Sequence, residues 1–239
     1  MKRLLAFFLD AIFPARCLNC GIKTENKDKS ELICEKCFAE VEINNGFSCP
    51  KCGKRIFDYK KSCHPEEKFV LAAASSYKNH VVRELIHALK YRFLKPATEP
   101  LALILELYLE KIAAGSSFNI KEFVIIPIPI HPKKERERGF NQTFLIIKQL
   151  KNATNPLQIE TDVLFKIKNV GAQMALADYE KRAANVKNCF GVSNKEKIIG
   201  KNILLFDDVC TSGATMKEAV RVLKENGAKK IIGLVIAKA

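Results

Sequence analysis

Several residue types are scarce in this 239-residue sequence. It has no tryptophan, three methionines and four histidines, and aromatic residues make up only 8% of it. Between residues 15 and 66 the aromatic residues are few, which limits stacking on flat ligands there; they are Phe38, Phe47, Phe57 and Tyr59. Acidic residues are also in deficit, at 26 against 40 lysines and arginines, so the net charge is +14.

The positive charge is unevenly distributed along the chain. Residues 1–67 carry a surplus of two positive charges, whereas residues 68–239 carry a surplus of twelve. Two interpretations stay open. Either the C-terminal part presents a surface adapted to polyanions, or its lysines are dispersed and simply solvated.

The first fourteen residues lack the marks of a signal peptide and of a membrane span. Lys2 and Arg3 precede an apolar stretch, but Asp10 interrupts it and no Ala-x-Ala cleavage site follows. The stretch is also too short to cross a bilayer. Residues 1–14 therefore predict a short apolar helix that packs on the body of the protein or lies at a membrane surface.

Cysteine, in contrast, is abundant, and seven of the nine cysteines precede residue 64. Three C-x-x-C pairs recur at intervals of about fifteen residues, a spacing typical of tetrahedral zinc sites. A secreted disulfide scaffold is the alternative, but nothing after residue 68 looks secreted. The pattern predicts two tandem zinc ribbons within residues 15–66 and one or two structural zinc ions.

The two predicted ribbons are not equally complete. The first has four cysteine ligands, Cys17, Cys20, Cys34 and Cys37. The second has Cys49, Cys52 and Cys63, but Glu66 stands where the last cysteine of a fourth pair would be. His64 is the other candidate for the fourth ligand, and a degenerate or empty second site is an equally open interpretation.

From residue 68 onward the pattern changes to alternating strands and helices. Strands are predicted at 69–77, 123–130, 201–206 and 230–236, an extended segment at 157–167, and helices at 81–93, 101–112, 142–150 and 216–226. Residues 131–141 are predicted to be a polar loop. This alternation predicts an α/β domain over residues 68–239, built on a parallel sheet with its ligand site at the carboxyl ends of the strands.

Residues 203–215, with the sequence ILLFDDVCTSGAT, are the most informative part of the chain. A buried strand leads into Asp207 and Asp208, and a turn of small residues then opens a helix. Such a turn offers backbone N–H groups and a positive helix end to a phosphate, whereas the two carboxylates suit sugar hydroxyls or Mg²⁺. A ribose 5-phosphate fits both halves, although an ordinary strand-to-helix turn would look similar. The turn residues are Thr211, Ser212, Gly213, Ala214 and Thr215.

A second dense run follows the strand at 123–130. It contains four cations that could contact a diphosphate, namely Lys133, Lys134, Arg136 and Arg138. Gly139 would permit close backbone approach, and Asn141 or Gln142 could begin the next helix. The alternative is a solvated loop whose alternating charges screen one another.

The run at 203–215 resembles the phosphoribosyl-diphosphate loop of type I phosphoribosyltransferases, with Cys210 where an aliphatic residue is commoner. The whole chain resembles the ComF family in the order of its motifs. After the cysteine pairs come LKYR at 89–92, RGFNQ at 138–142, a Gln-x-x-Leu loop that begins at Gln173, and the Asp-Asp turn. The missing last cysteine of the second ribbon is the main departure.

The resemblance implies a type I phosphoribosyltransferase-like parallel sheet flanked by helices, behind a small N-terminal zinc-ribbon module. It implies that phosphoribosyl diphosphate binds with Mg²⁺, with its 5-phosphate on residues 211–215, its ribose hydroxyls on Asp207 and Asp208, and its diphosphate near the second basic run. Residues 173–182 resemble the mobile loop of the fold, in which Arg182 would help to neutralise the leaving diphosphate.

The resemblance to ComF proteins implies a role in the uptake of single-stranded DNA during natural competence. It further implies a cytoplasmic location at the inner face of the membrane, with single-stranded DNA and other competence proteins as partners. Two alternatives stay open: an active phosphoribosyltransferase of nucleotide metabolism, or a sensor that binds phosphoribosyl diphosphate without turnover.

Overall fold

The computed structural model describes residues 16–24, 32–60, 62–150, 157–168 and 186–239. Its helices are α1 (Glu35–Ala39), α2 (His80–Tyr91), α3 (Thr98–Gly115), α4 (Pro132–Arg138), α5 (Gln142–Lys148) and α6 (Ala214–Glu225). Its strands are β1 (Phe47–Ser48), β2 (Arg55–Ile56), β3 (Val70–Ser76), β4 (Phe123–Pro127), β5 (Leu164–Lys166), β6 (Phe190–Val192), β7 (Asn202–Cys210) and β8 (Lys230–Lys238).

Six of these strands form one sheet in the order β2-β1-β3-β8-β7-β4. The four strands β3, β8, β7 and β4 are parallel, with Ile125 opposite Leu204 and Leu204 opposite Ile232. This confirms the predicted α/β class. Because the ends of parallel strands lie at one edge, the loops after β3, β4 and β7 open on the same side of the molecule.

The sheet is covered on both faces because successive side chains of a strand point in opposite directions. Leu204 and Phe206 pack with helices α2, α3 and α5, whereas Ile203 and Leu205 pack with α6 and the β5–β6 hairpin. Burial on both faces explains why the central strands are almost uninterrupted runs of apolar residues.

The cysteine-rich part is continuous with this sheet. Strand β1 pairs antiparallel with β3, with Ser48 opposite Leu71. The Tyr108 hydroxyl of the long helix α3 donates a hydrogen bond to the Gly46 carbonyl at 2.6 Å. The predicted boundary between residues 15–66 and 68–239 stays a prediction, and in the fold the two sides share one sheet and one apolar core.

Three predicted elements differ from the structure. Strand β7 does not end at Phe206 but continues through both aspartates to Cys210, because β8 remains paired with it as far as Lys238. The predicted polar loop at 131–141 contains helix α4, which begins at a proline compatible with a first helical turn. Within the predicted extended segment at 157–167, only Leu164–Lys166 is assigned as a strand.

No helix in the described parts of the chain has the length and apolar character needed to cross a bilayer. Residues 1–14, for which a short apolar helix is predicted, lie outside the described residues. The same holds for Gln173 and Arg182 of the predicted closing loop.

Candidate functional site

The acidic pair lies at the carboxyl edge of the central strand β7. Asp207 is opposite Val235 of β8 and is half-buried, whereas the side chain of Asp208 is only 5% exposed. The backbone N–H of Asp208 donates to Oδ1 of Asp207 at 2.9 Å. Consecutive strand residues point to opposite faces, so the two carboxylates occupy different environments.

Asp208 is paired with a lysine from another element. The Nζ atom of Lys90, in the last turn of α2, lies 2.8 Å from Oδ1 of Asp208, and the lysine side chain is only 20% exposed. Burial lowers the pKa of Lys90, but the charge and hydrogen bond of Asp208 outweigh it and raise the pKa overall. Within the described residues, the buried Oδ2 of Asp208 has no hydrogen-bond partner.

Asp207 is a weaker acid than an ordinary carboxyl group. Burial and the adjacent charge of Asp208 raise its pKa to about 7, and the positive charge of Lys90 only partly opposes them. A carboxyl group in this setting accepts hydrogen bonds from hydroxyl donors well, because such donors partly replace the water it has lost. The two carboxylates are therefore suited to accept hydrogen bonds from the hydroxyl groups of a polyol.

The turn after β7 forms a small concavity directly beside Asp207. Its volume is about 30 Å³, and its lining includes Thr211, Ser212, Gly213, Ala214 and Thr215. Gly213 has φ +76°, a conformation that other residues adopt only with strain, and it precedes the first turn of α6. The N–H groups of a first turn have no acceptor within their helix, and residues 214–216 of this turn line the concavity, which therefore favours an anion.

The second basic run lies across the same edge on helix α4. Lys133 and Arg136 are exposed, whereas Arg138 is half-buried and donates to Oε1 of Gln142 at 2.9 Å. Gly139 ends α4 in the left-handed conformation, with its N–H bonded to the carbonyl of Glu135; close approach of a ligand to its backbone stays a prediction. Asn141, as predicted, begins the next helix and accepts from the N–H of Thr143.

Lysines from separate elements converge near the acidic pair. Burial lowers the pKa of Lys134, and the positive charges of Lys166 and Arg138 lower it further; the charge of Lys166 also acts on Asp207. Lys166, at the end of β5, also lies with its Nζ 5.3 Å from the ring centre of Phe190. A cluster of like charges that already repel one another favours binding of a polyanion.

Sequence reasoning missed Lys90 and Lys166 as site residues. Lys90 falls in the LKYR segment, at the border of the buried face of α2. The buried residues of that helix are all apolar. A lysine in such a position is a signal that could have been followed to a buried carboxylate. Lys166 offers no such signal, because its place depends on how the β5–β6 hairpin packs beside β7.

The first cysteine cluster brings together all four predicted ligands. The sulfur atoms of Cys17, Cys20, Cys34 and Cys37 lie within 4.8 Å of one another, and Cys20 and Cys34 are 3.8 Å apart. Tetrahedral Zn–S bonds of 2.3 Å require sulfur–sulfur distances of about 3.8 Å. The side-chain amide of Asn19 donates to Cys37 Sγ, and its oxygen bonds His80 at the start of α2, an outer-shell contact typical of metal sites.

The second cluster contains Cys49, Cys52, Cys63 and His64. Nδ1 of His64 lies 3.3 Å from the sulfur atoms of both Cys49 and Cys63. Burial raises the pKa of Cys49, but hydrogen bonds, beginning with that of Ser62, bring it down to about 5, which favours the thiolate that a metal needs. Glu66, the alternative fourth ligand, is bonded to Lys51 instead.

Comparison with known proteins agrees with both regions. A double zinc ribbon domain model matches residues 8–65, and a phosphoribosyl transferase domain model matches residues 141–239. Among solved structures, the allosteric regulatory enzyme of purine biosynthesis matches with a TM-score of 0.36 and 14% identity, over 58% of this chain and 26% of that one, which is too limited to add to the argument.

Curated relatives align over most of the chain. The sequence is 24% identical to competence protein ComFC of Bacillus subtilis, over 82% of this chain and 80% of that protein. It is 23% identical to competence protein F of Haemophilus influenzae, over 92% of this chain and 95% of that protein. It is 24% identical to DNA utilization protein YhgH of Escherichia coli K12, over 83% of this chain and 87% of that protein. The chain thus matches a double zinc ribbon domain and a phosphoribosyl transferase domain in that order, and over most of its length it is similar to the competence proteins ComFC and F.

Proposed function

We propose that this protein binds phosphoribosyl diphosphate at the carboxyl edge of β7. The proposal rests on two different binding features that lie side by side at the end of this strand. A buried acidic pair at Asp207 and Asp208 lies directly beside the anion-favouring turn at residues 211–215. A diol at one end of a ligand and a phosphate at the other would use both.

The diphosphate of the ligand would lie toward the converging cations. The charges of Lys166 and Arg138 act on Lys134, and Lys133 and Arg136 are exposed on α4. Bound Mg²⁺ would neutralise charge on the diphosphate and orient it. Arg182, outside the described residues, keeps its proposed role as a further cation for the leaving diphosphate.

The cysteine clusters are proposed as two structural zinc sites. All eight ligand atoms come from the predicted residues, and the sulfur distances match a tetrahedral ion. His64 supplies the fourth ligand of the second site, since its Nδ1 faces two of the three sulfurs. Both sites are saturated with protein ligands, which is the arrangement of structural rather than catalytic zinc.

Calorimetry with phosphoribosyl diphosphate and Mg²⁺ tests the binding proposal on the intact chain. The expected result is one site per chain, with competition from ribose 5-phosphate and from diphosphate because each covers half of it. Diphosphate release should then be measured with a panel of bases and with single-stranded DNA. Release would identify a transferase, whereas tight binding without release would favour the sensor role. Absence of binding at millimolar ligand would refute the proposal.

A second proposed role is handling of single-stranded DNA in competence, in the cytoplasm and with other competence proteins. It is supported by the names of the curated relatives and by the surplus of twelve positive charges on residues 68–239. Such binding would be tolerant of sequence and would weaken steeply with salt, because it is driven by release of counterions. A gel shift across a salt series measures both properties.

A further inference from the structure

Lys90 belongs to an element that the proposed ligand site does not otherwise use. It lies in the last turn of α2, yet its ammonium lies 2.8 Å from Asp208 at the end of β7, with side chains 20% and 5% exposed. Removing both charges from water is costly, and such a pair persists only with good geometry. The contact is therefore a built feature of the edge and not a chance surface pair.

One oxygen of each carboxylate in the acidic pair already has a partner within the protein. Oδ1 of Asp208 is engaged by Lys90, and Oδ1 of Asp207 accepts from a backbone N–H. Oδ2 of Asp208 is fully buried and has no hydrogen-bond partner among the described residues. The acceptor left open on Asp208, next in the chain to the carboxylate of Asp207, suits a hydroxyl donor of a diol bound at the strand end.

Two adjacent carboxylates would otherwise attract a divalent cation, which prefers oxygen ligands. In this edge the position beside Asp208 is already held by an ammonium. We propose that Lys90 is the resident counter-cation of the acidic pair, and that it makes the pair a receptor for a vicinal diol instead of a metal site. Only the identity of the diol as ribose rests on the proposed function; the counter-cation role does not.

Titration with Mn²⁺ alone, followed by electron paramagnetic resonance, tests the role of Lys90 without any organic ligand. Wild type and Lys90→Arg should show no specific Mn²⁺ site on the acidic pair. Lys90→Met should bind Mn²⁺ at least about tenfold more tightly, and the added Asp208→Asn change should abolish this gain. Lys201→Met, at the exposed opposite end of the sheet, is the matched control. Specific Mn²⁺ binding by wild type that Asp208→Asn removes would overturn the proposal, and this arm does not require the Lys90 variants to fold.

Calorimetry with ribose 5-phosphate tests the diol. Wild type should bind it equally well in Mg²⁺ and in a chelator of Mg²⁺, and 2-deoxyribose 5-phosphate should bind about tenfold more weakly, for the loss of one hydrogen bond to a charged group. Lys90→Met should weaken binding by about the same factor, and Lys90→Arg should restore it. Binding that strictly requires Mg²⁺ would overturn the counter-cation role. If neither sugar phosphate binds while the Mn²⁺ results hold, the proposed function fails and the counter-cation role stands.

Discussion

The cysteine-rich part and the parallel sheet are stabilised in different ways. Around the cysteine clusters, β1 and β2 have two residues each and α1 has five, so regular structure there is minimal. The strands β7 and β8 have nine residues each and are almost entirely buried. We therefore expect zinc ligation to be the main support of the first region, beside the apolar core that it shares with the sheet, and apolar burial to be the support of the second.

Removing zinc should produce the largest difference in stability between the two regions. In a reduced protein treated with a strong chelator, amide exchange should rise sharply across residues 16–60, because structural zinc typically contributes about 10–16 kcal/mol to such sites. Exchange of β7 and β8 should change little. Hydrogen exchange with mass spectrometry measures both regions in one experiment. Intact protection of residues 16–60 in metal-free protein would contradict the proposed zinc sites.

Point variants sharpen the same prediction for the second cluster. His64→Ala should lower the zinc content by about one ion per chain, whereas Glu66→Ala should leave it unchanged, because Glu66 is bonded to Lys51 and not to the sulfur atoms. Metal analysis of anaerobically purified protein gives the ratio. Cys189→Ser is the control for loss of a cysteine outside both clusters. If Glu66→Ala lowered the zinc content and His64→Ala did not, the fourth ligand would be Glu66 and not His64.

In the sheet, the double change Asp207→Asn and Asp208→Asn should remove ligand binding and leave the fold in place. Two hydrogen bonds to charged groups are worth about 1.5–3 kcal/mol each, so affinity for phosphoribosyl diphosphate should fall about a hundredfold or more. Zinc content and circular dichroism should be unchanged. Asp58→Asn, on an exposed aspartate of the cysteine-rich part, is the matched control. Calorimetry showing unchanged affinity would refute the assignment of the diol site.

DNA binding can be assigned to one region or the other. Replacing Lys133, Lys134, Arg136 and Arg138 by alanine should weaken single-stranded DNA binding and reduce its salt dependence, if α4 provides the contacting cations. The comparison variant is Phe57→Ala in the cysteine-rich part, where an aromatic ring 79% exposed lies 5.3 Å from the guanidinium of Arg55. Gel shifts at several salt concentrations distinguish them. Loss of binding in the second variant alone would place the DNA surface on the ribbons.

The smallest expected effect concerns pH and Asp207. Its pKa is raised from 3.8 to about 7 in the folded protein, so between those values the folded state retains a proton that the unfolded state has lost. The contribution of Asp207 to the free energy of unfolding is therefore most favourable below pH 4 and declines as pH rises to about 7. Asp207→Asn should stabilise the protein more at pH 8 than at pH 5. Thermal melts of both proteins at the two values measure this, and an equal shift at both would contradict it.

The sequence by itself determined the class of both regions. Cysteine spacing predicted two clusters, since metal geometry depends on short local separations. The run at 203–215 predicted a strand, an acidic pair and an anion-favouring turn, since those features are consecutive in the chain. Alternation of strands and helices predicted the parallel sheet, because each strand must be covered on both faces.

The tertiary structure alone decided which distant residues meet at the site. Lys90 reaches Asp208 across 118 positions of sequence, and Lys166 approaches through a hairpin whose packing no local pattern specifies. Pairing with β8 extended β7 past the predicted end, and His64 was separated from Glu66 by the local path of the second ribbon. Local sequence patterns report on neighbours along the chain, whereas the charge balance of a buried site depends on contacts between elements that only packing brings together.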